Sequence, residues 1–232
     1  MSLLRTRRKP EAPEILADND RRIVWRIAAF LLDYPTEQTM GMLDQLGSAA
    51  AELPEPAASS LTSFVEHART TPQITLAKRY VETFDMKRRS CLHLTYYAYG
   101  DTRKRGMALL RFKHAYKTAG VGIGDGNMPG GELPDHLAVV LEFAATIDSV
   151  AGARLLGEHV PVIELLRLSL HDSDSAYAHL LDAVCATLPP ITTADRRRIE
   201  ELAAQGPPDE EVGLEPFSMD PSLHTPDMGA RR

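Results

Sequence analysis

Apolar residues in this chain recur every three or four positions almost from end to end, and no convincing stretch alternates apolar with polar residues as a strand would. That period puts the apolar side chains on one face of a helix, so the chain must bury helical stripes against one another rather than build a sheet. Ile23, Ile27, Phe30, Leu31 and Tyr34 make the first stripe, behind a cap at Asp18 or Asn19 and closed by Pro35. Proline closes it because it biases the preceding residue out of the helical region. Met40, Leu43 and Leu46 mark a weaker helix, and Leu61, Phe64, Val65 and Ala68 a third. Pro72 opens a fourth, with Ala77, Tyr80, Val81 and Phe84. Asp101 or Thr102 then caps a long helix whose face is Ala108, Leu109, Phe112, Ala115, Tyr116 and Ala119.

A loop from Gly120 to Gly131 follows, with glycine at 120, 122, 124, 126, 130 and 131. Such a run is free to take positive φ and to hinge. Pro134 suits the first turn of the next helix, where its missing N–H is no loss. The segment from Leu137 to Ala144 is apolar on several sides and belongs at the centre of a bundle. Pro161 is expected to break or kink the helix after it. Tyr177, Leu180, Leu181, Val184, Cys185 and Leu188 form another stripe, ended by Pro189 and Pro190, and a last helix runs through Ile199 and Leu202. The predicted fold class is therefore all-α: a single helical bundle of about nine or ten helices. The expected layout is a basic, disordered arm over residues 1–17, a helical domain over 18–205 with a hinge loop at 120–133, and an acidic, disordered tail over 206–232.

Composition narrows the function. With 232 residues the chain buries about 70% of its unfolded surface and needs no disulfide or metal to hold a core. A net charge of −6 argues against a globally basic nucleic-acid binder. Two cysteines, Cys91 and Cys185, do not make a disulfide scaffold and point to a reducing compartment. No apolar run has the length to span a bilayer, so stable membrane insertion is not expected. Arg7 and Arg8 look like a twin-arginine export leader, but Lys9, Pro10 and Glu11 follow where an apolar stretch would be required. A cytoplasmic protein is the expectation.

Three constellations stand out. Between Lys87 and Lys117 there are nine Lys or Arg residues and one acid, Asp101, with Tyr96, Tyr97, Tyr99 and Tyr116 among them. Basic side chains interleaved with aromatics can stack on bases or hold phosphates, which is the signature of a nucleic-acid-binding regulator. A solvated helix face beside a tyrosine-bearing core reads the same way. The glycine loop fits neither the dinucleotide fingerprint nor a P-loop, so it is read as a mobile connector. The run Glu132-Leu133-Pro134-Asp135-His136 places an acid in the first helical turn, where the dipole favours it, beside a histidine able to titrate near neutral pH. A capping acid next to a polar histidine is the plainer alternative. The histidines show no zinc-binding spacing and there is no C-x-x-C. Cys185 lies on an apolar stripe as a core thiol, and Cys91 lies near the basic run with no histidine at an obvious local spacing, so neither is read as a nucleophile.

Three further stretches carry a resemblance. Tyr80-Val81-Glu82-Thr83-Phe84-Asp85, then Leu92-His93-Leu94-Thr95-Tyr96-Tyr97 and Gly100-Asp101-Thr102-Arg103-Lys104-Arg105-Gly106, resemble the NarJ family of molybdenum-cofactor assembly chaperones of respiratory nitrate reductase. Ala108 to Tyr116 continues the likeness, and Glu132 to His136 is similar to the E-x-P-D-H signature of the wider TorD-like redox-enzyme maturation chaperones. The resemblance runs from about Arg22 to Leu188.

The resemblance implies an all-helical, non-enzymatic chaperone. Its implied partner is the apo catalytic (alpha) subunit of respiratory nitrate reductase, bound in part through that subunit's N-terminal segment. Such a chaperone carries no cofactor of its own. It assists insertion of the molybdenum cofactor, with a transient contact to that cofactor or to its delivery proteins as an expectation, and with no nucleic acid. A helical bundle can seat an amphipathic helix in an apolar groove. The candidate client-binding residues are Tyr80, Phe84, Tyr96, Tyr97 and Tyr116 in the groove, core packing being the rival role for each, and Asp101, Arg103 and Arg105 on its polar rim. Glu132, Pro134, Asp135 and His136 are the hinge signature, with His136 a candidate to make client affinity vary between pH 6 and 8.

Overall fold

The computed structural model describes residues 16–100, 102–122 and 131–206. Among them are twelve α-helices and no strand. They are α1 (Asp18–Leu31), α2 (Glu37–Gly41), α3 (Leu43–Ala51), α4 (Ala57–Thr70), α5 (Gln73–Tyr80), α6 (Tyr96–Tyr99) and α7 (Arg103–Thr118). After the loop come α8 (Leu137–Thr146), α9 (Ser149–Glu158), α10 (Val160–Asp172), α11 (Ala178–Ala186) and α12 (Thr193–Gln205). The number exceeds the nine or ten expected because α2 and α6 are only five and four residues long, too short to show a period. The basic arm falls mainly on residues 1–15, most of the hinge loop on 123–130 and the acidic tail on 207–232; all three lie outside the described residues, as does Asp101.

α1 is the axis of the bundle. It packs along α8 and also meets α11, α3 and α4. It can do so because Val24, Trp25, Ile27, Ala28, Ala29 and Leu31 leave it buried on most sides. α8 is its match, with Leu137, Ala138, Val140, Leu141, Phe143, Ala144 and Ala145 all buried, as its all-round apolar composition predicts. α4 joins α3 to α11, α9 covers α8, and α10 carries α11 and α12.

Several local expectations resolve differently. α1 begins at Asp18 behind Ala17 with no side-chain cap, and it ends at Leu31, so Tyr34 lies beyond it, 47% exposed. Pro161 does not interrupt a helix: α9 stops at Glu158, and the proline sits in the first turn of α10, where no N–H is needed. α5 runs into a π-helical turn, Val81–Asp85, which keeps Phe84 turned inward. True side-chain caps stand at Thr36, Asp148 and Thr192, the last in a reciprocal capping box with Asp195.

One buried hydrogen bond ties the two ends of the fold. Trp25 is fully buried, and its indole N–H donates to Thr187 Oγ1 at 2.8 Å, 162 residues away. Thr187 in turn donates to the Val184 carbonyl at 2.6 Å. Replacing Thr187 by valine keeps the shape and leaves the indole N–H unpaired, at a cost of about 1–2 kcal/mol. A thermal melt of Thr187→Val is expected about 2–8 °C below wild type, at 2–4 °C per kcal/mol for a domain of this size.

Candidate functional site

The Glu132–His136 run is not the start of a helix. α8 begins at Leu137 with His136 as its N-cap residue, so Pro134 and Asp135 precede the helix rather than occupy its first turn. Two backbone bonds hold them instead. Leu94 N–H donates to the Asp135 carbonyl at 3.0 Å, and Leu137 N–H donates to the Leu92 carbonyl at 2.9 Å. Together they make a single antiparallel bridge between His93 and His136. Tyr116, fully buried on α7, donates its hydroxyl to the Pro134 carbonyl at 2.7 Å. Two segments forty residues apart are thereby locked edge to edge.

Asp135 is the hub of this lock. Its side chain is wholly buried. Thr95 donates to Oδ2 from its backbone N–H at 3.1 Å and from its hydroxyl at 2.5 Å. His93 Nδ1 lies 3.2 Å from Oδ1, and because an ionised carboxylate only accepts, that nitrogen must carry the proton. Arg105 reaches Oδ2 at 3.8 Å and donates through Nε to Thr95 Oγ1 at 3.3 Å. Burial alone would raise the carboxyl, but the bonds from His93 and Thr95 and the Arg105 charge outweigh it and hold Asp135 down at about 2.

His136 lies beside the hub, its ring 5.2 Å from that of His93. Burial, and then His93, push its imidazole below the ordinary histidine range, against Glu132, Asp33 and Asp135, which pull the other way. The neutral ring is therefore the form the fold prefers. The unfolded chain takes up the proton near pH 6.5 while the folded one resists it, so this stability is present above that pH and drains as pH falls. Melting temperature is expected to drop between pH 7 and 5. The drop should be smaller in His136→Gln but still present, because burial also depresses His159 and His67. A flat wild-type profile over that range would contradict this.

The other sequence-derived candidates divide by burial. Tyr80 and Phe84 lie in an aromatic cluster with Tyr177, whose ring centroid is 6.0 Å from Tyr80 and 4.9 Å from Phe84. Tyr80 also donates to the Leu32 carbonyl at 3.2 Å. Tyr96 and Tyr97 are 7% and 4% exposed, and the Tyr97 hydroxyl donates to the Arg89 carbonyl. All five groove candidates are thus core residues in this conformation. Arg105, expected on a polar rim, is turned inward over the Tyr96 ring and towards Asp135. Arg103 remains exposed at the start of α7. The basic stretch is consequently not one continuous face: Arg105 is spent inside and Arg111 pairs with Glu158 at 2.7 Å.

An accessible groove lies next to the hub, and its other walls carry no sequence signature. It encloses about 510 Å³ between α1, α8 and the end of the glycine loop. Ala29, Val121, Ala138, Val139, Phe143 and Ile147 line it, Ile147 being 54% exposed. Asp33, Glu132 and Glu142 stand at its edge, all exposed, and His136 forms part of its wall. Glu142 pairs with Arg26, whereas Asp33 and Glu132 have no ion-pair partner among the described residues. His136 Nδ1 is buried and makes no hydrogen bond among those residues. The groove can therefore accept an apolar segment bearing positive charge. A second cavity of about 650 Å³ lies by His67, Arg79, His171 and His179, but none of residues 132–136 lines it, and Glu82 and Asp174 mix acids with its cations.

His93 and Thr95 are the residues of this candidate site that sequence reasoning passed over. They stood inside the quoted Leu92–Tyr97 run, yet nothing local ties them to a carboxylate forty residues on. Among the described residues no group of three or more His, Cys, Asp or Glu is arranged to hold a metal ion. No described helix is long and apolar enough to cross a membrane.

Comparison with known proteins places this arrangement. The sequence model of the family described as nitrate reductase delta subunit matches residues 50–183. The nitrate reductase-like protein NarX of Mycobacterium tuberculosis is 43% identical over 166 residues, which cover 71% of this chain and 24% of NarX. The chain thus spans about a quarter of that relative's length. The nitrate reductase molybdenum cofactor assembly chaperone NarJ of Escherichia coli is 29% identical over 67% of this chain and 65% of its own. Its namesake in Bacillus subtilis is 30% identical over 73% of this chain and 90% of its own. A crystal structure described as a redox enzyme maturation protein from Archaeoglobus fulgidus shares the all-helical fold, with a TM-score of 0.51 and 19% identity over 71% of this chain and 91% of that one. Matched across residues 50–183, and with a relative covered almost end to end, the chain belongs to the nitrate reductase delta subunit family.

Proposed function

We propose that this chain is a cytoplasmic, non-enzymatic chaperone that binds the apo catalytic subunit of respiratory nitrate reductase and keeps it open for insertion of the molybdenum cofactor. Likeness to the NarJ assembly chaperones is the observation that carries the reading. The groove between α1 and α8 gives it a mechanism. An apolar floor edged by two carboxylates that form no ion pair among the described residues suits an amphipathic, basic N-terminal segment of the client, anchored at helical spacing. Binding of that kind is reversible and needs no covalent step, with affinity in the micromolar to nanomolar range.

The core positions of Tyr80, Phe84, Tyr96, Tyr97 and Tyr116 give those residues a supporting part in the fold, and of the five Tyr116 packs directly on the groove-lining Phe143, ring centroids 4.6 Å apart. Asp101 and Arg103 remain candidate rim contacts, and an exposed Arg103 is available to the phosphates of the incoming cofactor. Asp135 and His136 fix the groove's inner edge.

The test is co-purification of the apo catalytic subunit with this chain, followed by molybdenum assay of the reductase made with and without it. Capture of the apo form and loss of metal in the chain's absence are expected. Fully metallated reductase in cells lacking the chain would overturn the reading.

A further inference from the structure

We propose that the acidic-edged groove is also the docking site of this chain's own residues 1–15, which occupy it when no client is present. The inference rests on the client-groove reading above and adds a competitor to it. Residues 1–15 have the composition the groove calls for: Leu3 and Leu4 are followed by Arg5, Arg7, Arg8 and Lys9, with no acid before Glu11. The groove offers the complement, an apolar floor of Ala138, Val139, Phe143 and Ile147 with Asp33 and Glu132 at its edge, neither in an ion pair among the described residues. The buried Nδ1 of His136, which makes no hydrogen bond among the described residues, marks a polar position in the wall that an incoming N–H or guanidinium would satisfy.

Reach is sufficient. The arm leads into α1, and Leu16, just before that helix, already packs on the core. From Asp18 to the groove edge at Asp33 is about 22 Å along the helix, at 1.5 Å per residue. The chain from Leu16 back to Leu4 spans up to about 40 Å when extended. A segment tethered so close to its site acts at an effective concentration on the order of 1 mM. Against a site of about 100 μM intrinsic affinity, that raises the apparent dissociation constant of any competitor about tenfold. The arm thus sets a threshold: a weakly matched peptide is turned away, and a better matched client displaces it.

The experiment uses full-length protein throughout and a synthetic peptide of residues 1–15 as the probe. Calorimetric titration into wild type should show weak binding. Titration into a variant with Arg5→Glu, Arg7→Glu, Arg8→Glu and Lys9→Glu should show binding at least fivefold tighter, weakening with added salt. Adding Asp33→Lys and Glu132→Lys to that variant should remove it. Equal peptide affinity for wild type and the arm variant, or no dependence on Asp33 and Glu132, would overturn the proposal. Capture of the apo catalytic subunit is scored separately. An arm variant that captures client but ignores the peptide defeats only the arm, and one that binds peptide but captures no client defeats only the chaperone reading.

Discussion

Asp135→Ala is expected to destabilise the protein by about 3–5 kcal/mol, the range for removing one partner of a buried charge pair. The magnitude comes from what stays behind. Thr95 keeps a buried N–H and hydroxyl that have lost their acceptor, His93 loses the carboxylate its Nδ1 proton points at, and Arg105 loses the Asp135 charge it faces. Asp135→Asn retains one acceptor oxygen and should fall between alanine and wild type. Urea unfolding at pH 7 measures both; a shift under 1 kcal/mol for the alanine variant would show that the hub is not holding the two segments. The wild-type acid limb is a second reading. With the folded carboxyl at about 2 and the unfolded one near 3.9, its contribution is complete above pH 4 and lost as pH falls through 2. It amounts to about 2–3 kcal/mol, and Asp135→Asn should lack that part of the slope.

Gly152→Ala should cost about 3 kcal/mol, lowering the melting temperature by roughly 6–12 °C. Gly152 lies in the first half of α9 where that helix crosses α8, and a Cβ placed on it would overlap the Cβ and Cα of Ala144. Ala144 is fully buried and is itself backbone and one methyl, so no flexible side chain can give way. The two helices must separate, and the core around Leu141 and Leu155 opens with them. Gly157→Ala on the same helix is the control: nothing lies within 4 Å of its Cβ position, so it should be neutral or slightly stabilising.

The comparison of α8 with the motif before it shows what sequence can carry. α8 was legible because burial on nearly all sides leaves a composition with no polar face, and a helix like that has one place to go. The hub was not, because hydrogen bonds between Asp135 and residues 93–95 leave no period and no spacing rule. The acid looked like a helix cap, and position alone could not separate a cap from a buried acceptor. Arg105 failed for a related reason: a lone cation in a basic run reads as surface, and only the fold shows that one of them neutralises an interior charge. The groove needed the pairing of α1 with α8, which brings Asp33 to the same edge as Glu132, ninety-nine residues later in the chain.

Tyr116 grips both sides of the glycine loop, accepting from Val121 N–H through its carbonyl at 2.9 Å and donating its hydroxyl to Pro134. The loop's stems are therefore fixed to each other by one residue, whatever is spliced between 123 and 130. Lengthening a closed loop costs only about 0.6 kcal/mol per doubling. That makes this stretch a natural port for engineering: an epitope, a reporter or a metal-binding tag inserted there would ride on the fold without loosening the walls of the groove.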